Sequence, residues 1–260
     1  MTQFLSVTMN GLTSRIHHWL AISPGAADRL KLTALAAMLA DHINTLLLTP
    51  ARPELYALGR MAFPLFVLIW ARNVMLRPER LQLRASRMWL WAVVTQPAFS
   101  LAFRGHDPWY ALNILFVFAG VTQLLAWHHR YRLAGMAGGV LLLVLMAWPL
   151  SVASYGVPGL VLALSLAIFL HNSSFRQRQT AGAAAFIALL ALNSQHLQEI
   201  PVTVVVLAIL PTVLLPAAAV SAATSPAAGR ENRFIPASFF YLAYVGHLLV
   251  IGLVRLPGLG

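Results

Sequence analysis

The 260-residue chain contains no cysteine. That excludes disulfide bonds, thiolate metal ligands and a cysteine nucleophile. Acidic residues are also scarce. Seven Asp and Glu stand against 18 Lys and Arg, and charged residues together make up 10% of the chain. With 59% of residues hydrophobic, too little charge remains to cover a soluble domain, and the composition is that of an integral membrane protein. The sequence also lacks a polar linker that would divide it, a periodic repeat and a soluble domain.

What it does have is a series of apolar runs. A hydrocarbon core of about 30 Å takes roughly 20 helical residues. Backbone N–H and C=O groups inside it must be satisfied within the segment, so spanning runs are helices. The chain offers about nine such runs, over 31–49, 55–76, 87–103, 109–127, 133–150, 155–171, 180–194, 200–222 and 236–255. The predicted fold is an all-α polytopic membrane protein, with one bundle over residues 31–260. Residues 1–30 form an interfacial amino-terminal segment, too polar in "SRIHHWLAISPGAADRL" for a cleavable signal.

A net charge of +11 would suggest a nucleic-acid partner in a soluble protein, but here the charges sort by loop. Arg15, Arg29 and Lys31 precede the first run, and Arg72, Arg77, Arg80, Arg84 and Arg87 lie around the second connection. Arg130 with Arg132, Arg176 with Arg178, and Arg230 with Arg233 follow the fourth, sixth and eighth runs. These alternate loops share one side, which the positive-inside rule makes cytoplasmic. The amino terminus is then inside a bacterial inner membrane, and no nucleic-acid partner is implied.

Polar residues at membrane depth are costly and are functional candidates by default. Asp41 and His42 lie roughly 15 Å along the helix from Lys31, near the midplane, and His247 is about 16 Å from Pro236. Gln96 is central beside the helix-kinking Pro97, while Arg60 and Asn113 enter from the opposite face. Each has an ordinary structural reading: Gln and Asn join helices by hydrogen bonds, Asp41 and Arg60 form an ion pair, and histidines pack. Lys31 and His42 are set apart by geometry. They share one helix face about 16 Å apart, so a cation at the mouth could hold a phosphorylated donor while its long arm reaches a base, as in an acyl-CoA. Asp41, adjacent to His42, points elsewhere on the helix, which leaves Arg60 or His247 as the expected partner. His128 and His129 read as an interfacial pair rather than metal ligands, and His106-Asp107 reads as a solvated turn before Pro108.

"LKLTALAAMLADHINTLL", "ALGRMAFPLFVLIWARNV", "WYALNILFVFAG", "WPLSVASYGVPGL" and "FFYLAYVGHLLVIGL", in this order from about residue 20 to 255, resemble the TraX family of conjugative pilin acetylases. Asp41-His42 and the Gly59-Arg60-x-x-Phe63-Pro64-x-Phe66 block carry most of the likeness. Lys31-x10-His42 also resembles the Arg/Lys-x10-His signature of the wider transmembrane acyltransferase group. The resemblance implies acetyl-CoA as co-substrate, no metal, and the amino terminus of a pilin subunit as acceptor in the membrane lipid. His42 would be the catalytic base, with Asp41, Arg60 and His247 beside it. Lys31 would lie near the donor entrance, and Arg72, Arg77, Arg80 and Arg84 would either grip the CoA phosphates or serve as topology signals alone. Gln96, Asn113 and Tyr155 would line the substrate site. A different acceptor, such as a sugar or another peptide, remains open. So do a proton-coupled transporter and a scaffold that docks pilin or secretion components. A reporter enzyme fused after Gly260 is expected to be active outside the cytoplasm; cytoplasmic activity would remove one helix from this topology.

Overall fold

The computed structural model describes residues 22–194, 198, 200–225 and 232–256. The topology signals Arg15 and Arg230, and residues 1–21 of the amino-terminal segment, lie outside the described residues. The first helix, α1 (Pro24–Leu46), starts before the expected residue 31. Pro24 sits at its first turn, and the Ser23 hydroxyl accepts the Ala26 N–H at 3.2 Å. A proline and a serine cap are strong start signals. Residues 24–30 are therefore the first turns of this helix, which runs without a break into the first apolar run.

Asn44 closes the turn after α1, its carboxamide oxygen accepting the Arg52 N–H at 2.6 Å. The next run is broken into α2 (Pro53–Gly59) and α3 (Ala62–Val74). Pro64 has no N–H to return to the Arg60 carbonyl. The chain tightens there, with Arg60 N–H on Ala57 O and Met61 N–H on Leu58 O, both at 3.3 Å. This turn falls where the Arg60 side chain leaves the helix.

After a 3₁₀ turn (Pro78–Arg80) comes α4 (Leu81–Ala102). A helix from 109 is not found. Residues 103–114 form tight turns around Gly105, which has φ 78°, and α5 (Leu115–Ser151) begins only after them. This segment is stapled to α4. Gln96 donates to Ala111 O at 2.7 Å, and Asn113 donates to Ala92 O at 2.8 Å and to Gln96 Oε1 at 2.9 Å. The Asn113 carboxamide oxygen then caps Leu115 N–H at 3.0 Å.

Inside α5, Arg132 is non-helical at φ 52°, ψ −123°. The limbs 115–131 and 133–151 turn back on each other, and a Cβ on Gly139 would stand 2.7 Å from Leu124 Cγ. Only glycine permits that approach. The break expected between 127 and 133 is thus a reversal. α6 (Gly156–His171), α7 (Phe175–Ala191), α8 (Pro201–Val204), a π turn (Val205–Ile209), α9 (Leu210–Ala223) and α10 (Ala237–Val254) complete the order. The π turn precedes Pro211, which cannot bond the Leu207 carbonyl, so the ladder widens by one residue.

Among the described residues, three helices are long and apolar enough to cross a membrane: Pro53–Val74, Leu115–Ser151 and Pro201–Ala223, with Gly156–His171 and Ser238–Val254 shorter but apolar. That is the signature of a membrane protein. Exposed side chains such as Leu141, Val144 and Leu145 on the second limb of α5 form its apolar exterior. Neighbour contacts run α1, α10, α4, α5, α6, α3 and back to α1. The ring is sealed by apolar layers, including Val67, Val117, Val121, Leu150 and Ala163 between α3, α5 and α6. Among the described residues it surrounds two cavities that share part of their lining.

Candidate active site

The cavity toward the Arg52 end of the bundle, about 420 Å³, is lined by Asp41, His42, Arg60 and Tyr155, together with His106 and Asn193. Asp41 and His42 come from α1, about three turns above Lys31 and on a helix uninterrupted between them. Arg60 comes from the Pro64-induced turn. Gly59 makes the meeting possible: a Cβ there would lie 2.5 Å from both Cβ and Oδ1 of Asp41. With no side chain in the way, Arg60 Nη2 reaches both Asp41 oxygens at 2.7 Å. Arg60 Nη1 donates to Asn193 Oδ1 at 2.9 Å, Asn193 donates to Thr212 Oγ1 at 2.7 Å, and Thr212 donates to Ala208 O at 2.8 Å. The guanidinium also stacks over Tyr56, 4.3 Å from its ring centre. One arginine therefore ties α1, α2 and the segment after α7 to the π turn.

His42 is paired separately. Its Nδ1 lies 2.8 Å from His247 Nε2, and the two rings are nearly parallel at 5.1 Å between centres. The other nitrogen of His247, Nδ1, is 3.0 Å from the Ala243 carbonyl. A carbonyl only accepts, so His247 Nδ1 carries the hydrogen. In the neutral pair, His247 Nε2 is then the acceptor and His42 Nδ1–H the donor. The tautomer is assigned by this chain of partners. It leaves His42 Nε2 with a bare lone pair in a residue that lines the cavity. Phe103 stands edge-on to the His42 ring at 5.3 Å and holds its plane.

Tyr155 takes its place through backbone geometry. It occupies the left-handed region at φ 63° as the residue before α6, and its ring stacks on Phe63 at 4.7 Å. This links the "FPLF" block to the "ASYG" turn.

The second cavity, about 450 Å³, opens toward the Lys31 end and is lined by Lys31, Arg84, Arg233, Asn73 and Trp70 among others. Lys31 Nζ bonds Asp28 at 2.9 Å and lies 5.0 Å from the Phe240 ring centre. Fully buried Asp28 also accepts the Phe234 and Ile235 N–H groups at 3.2 Å, fixing the approach to α10. Met38, Phe66, Ile114, Phe118 and Tyr244 line both cavities and form a waist between them. An aromatic ladder passes through it: Trp70 to Phe118 at 5.6 Å, Phe118 to Phe63 at 6.0 Å, and Phe63 to Tyr155.

Several sequence-predicted site residues lie elsewhere. Gln96 and Asn113 do not line either cavity; the Gln96 carboxamide bonds Ala111 O and the Asn113 N–H, and that of Asn113 bonds Ala92 O, Gln96 Oε1 and the Leu115 N–H. Of the four loop arginines, Arg84 alone lines a cavity, and it bonds the Asn73 and Val74 carbonyls at the end of α3. Arg72 reaches the Ile22 carbonyl at 2.5 Å, while Arg77 and Arg80 are exposed. The sequence reading missed Asn193, Arg233 and His106. His106 reads as a solvated turn residue and its side chain is 46% exposed, and it also lines the His42 cavity.

Apolar helices around a cavity lined by a part-buried ion pair and a hydrogen-bonded histidine define a membrane protein with polar groups gathered inside its bundle. Similarity places it more narrowly. The chain belongs to the TraX family, whose model, described as TraX protein, matches residues 26–255. Two curated relatives called Protein TraX, one from Escherichia coli and one from its strain K12, are each 34% identical over 252 residues, covering 95% of this chain and 96% of theirs. No solved structure matches.

With side chains 12% and 18% exposed, the Arg60–Asp41 pair is largely withdrawn from solvent. Removing one member leaves an uncompensated charge, at a cost of about 3–5 kcal/mol. Thermal unfolding in detergent should show Asp41→Ala and Arg60→Ala each strongly destabilised, with the double variant losing much less than their sum. Additive losses would mean that the two charges are not coupled.

Proposed function

We propose that this chain is a membrane-embedded acetyltransferase moving an acetyl group from cytoplasmic acetyl-CoA to the amino-terminal amine of a conjugative pilin subunit. The observation that carries the reading is the bare Nε2 of His42, fixed by His247 at the bottom of a cavity that continues through an apolar waist toward a cationic mouth. In this reading the chain crosses the bacterial inner membrane about nine times, with its amino terminus in the cytoplasm and the two α5 limbs as separate spans. Lys31, Arg84 and Arg233 then stand at the cytoplasmic mouth, where an anionic donor arrives. The apolar waist suits a neutral thioester arm and leaves its phosphates behind.

His42 Nε2 removes a proton from the acceptor amine as its nitrogen attacks the thioester carbonyl. The new N–C bond produces a tetrahedral oxyanion, and the Arg60 guanidinium beside the same cavity supplies a positive field for it. The imidazolium formed on His42 keeps its Nδ1–H on His247. As the C–S bond breaks, His42 returns its proton to the sulfur. No acyl-enzyme is needed, and the sequence has no thiol to form one. His247 acts as the positioning partner that a carboxylate supplies in other histidine-based sites.

The test is the intact mass of mature pilin from cells carrying the wild-type gene or His42→Ala. The reading predicts one added acetyl group with wild type only. An acetylated pilin with His42→Ala overturns the role of His42. An unmodified pilin with wild type overturns the acceptor, and acetyl-CoA raising the thermal stability of the purified protein would still support acyl transfer to another one.

A further inference from the structure

The proposed reaction has a proton balance that His42 alone cannot meet. A peptide amino terminus is mostly an ammonium near neutral pH. Transfer from a thioester converts R–NH₃⁺ and acetyl-S-CoA into the amide, CoA–SH and one released proton. The ammonium therefore loses two protons. His42 carries one from nitrogen to sulfur. The other must leave before attack, because an ammonium has no lone pair, and it must leave to water.

His106 stands where that proton would go. It lines the same cavity as His42, but its side chain is 46% exposed, so it faces both the cavity and the solvent at its open end. Its Nδ1 is 2.9 Å from Asp107 Oδ1. A carboxylate only accepts, so the neutral imidazole carries its hydrogen on Nδ1 and keeps Nε2 bare. This is the same tautomer that His247 imposes on His42. Phe103 lies edge-on between the two histidines, 5.3 Å from one ring and 5.8 Å from the other, so they are separate bases along one wall. The turn is built for this placement: the His106 and Asp107 N–H groups both bond the Phe103 carbonyl, at 2.9 and 3.0 Å.

Resting on the acetyltransferase reading, we propose that the His106–Asp107 dyad at the mouth of the cavity takes the first proton from the incoming acceptor ammonium and passes it to water. The acceptor then reaches His42 as a free amine. Other charged or titratable groups face this space from each neighbouring element: Asp41 and His42 on α1, Tyr56 and Arg60 around α2, Tyr155 before α6, and Tyr244 and His247 on α10. Arg104 pairs along the backbone with Asp107, and Arg255 bonds the Ala102 carbonyl behind the turn. Asp41 and Arg60 neutralise each other, and His42 and His247 bond each other. That leaves His106 as the base at the solvent end.

The experiment uses the purified full-length chain in detergent, acetyl-CoA, and two synthetic peptides, one with a free amino terminus and one ending in an aminooxy group, which is neutral from pH 6.5 to 9. His106→Ala and His106→Gln are compared with wild type, CoA release and peptide mass being measured. With the amine peptide, both variants should lose about tenfold in kcat/KM at pH 6.5, where about one amino terminus in 20 is already a free amine, and should recover toward wild type at pH 9. With the aminooxy peptide the loss should be absent at every pH. A loss independent of pH and equal for the two peptides would make His106 structural and overturn the proposal, as would wild-type rates at pH 6.5 with the amine. Wild type transferring to neither peptide would overturn the acetyltransferase reading itself, and this proposal with it.

Discussion

The Arg60 guanidinium holds Asp41 through one nitrogen and Asn193 through another, at a depth where neither charge could stand alone. Most of the bundle's local irregularities serve this contact or lie next to it. Gly59 removes the atom that would block it, and Pro64 breaks the helix where the arginine must turn inward. The π turn presents Thr212 to Asn193 at the far end of the chain of partners. An isolated ion in hydrocarbon costs several kcal/mol, so the pair and its neighbours form or fail together.

The same requirement decides which atoms are left for chemistry. Gln96 and Asn113 spend their carboxamides on each other and on backbone groups that join α4 to the turn before α5, and Lys31 is engaged by Asp28. His247 is committed at both ring nitrogens, to Ala243 and to His42. After these assignments two imidazole nitrogens remain bare on the cavity wall, one deep on His42 and one at the mouth on His106. The waist formed by Met38, Phe66, Ile114, Phe118 and Tyr244 keeps both away from the cationic chamber. In the proposed reaction, a charged donor head and a cationic acceptor would approach from opposite ends and meet only through neutral groups.

Much of this could be read from the sequence, and the exceptions have physical causes. The separation of Lys31 from His42 along one uninterrupted helix follows from helical rise alone. The meeting of Arg60 with Asp41 was legible because an acid and a base at similar depth must pair. Gln96 and Asn113 were legible as helix-joining groups, though not as caps of a turn, since their backbone partners appear only once 103–114 departs from helix. Arg72 and Arg84 read as phosphate grips or topology signals, because sequence does not show which backbone carbonyls they reach. His106 was hidden for a related reason. Its position depends on a turn closed by Gly105 and docked by Asn113, and no periodicity encodes that.

The central claim is that His247 fixes His42 as the Nδ1–H tautomer, with Nε2 free. Ring-nitrogen NMR of the ¹⁵N-histidine-labelled protein in detergent, assigned with single His→Gln variants, tests it most directly. The account predicts Nδ1–H for both residues at neutral pH, and loss of that fixed state on His42 in His247→Phe. An Nε2–H tautomer on His42 in the wild type, or a His42 signal indifferent to His247→Phe, would contradict it.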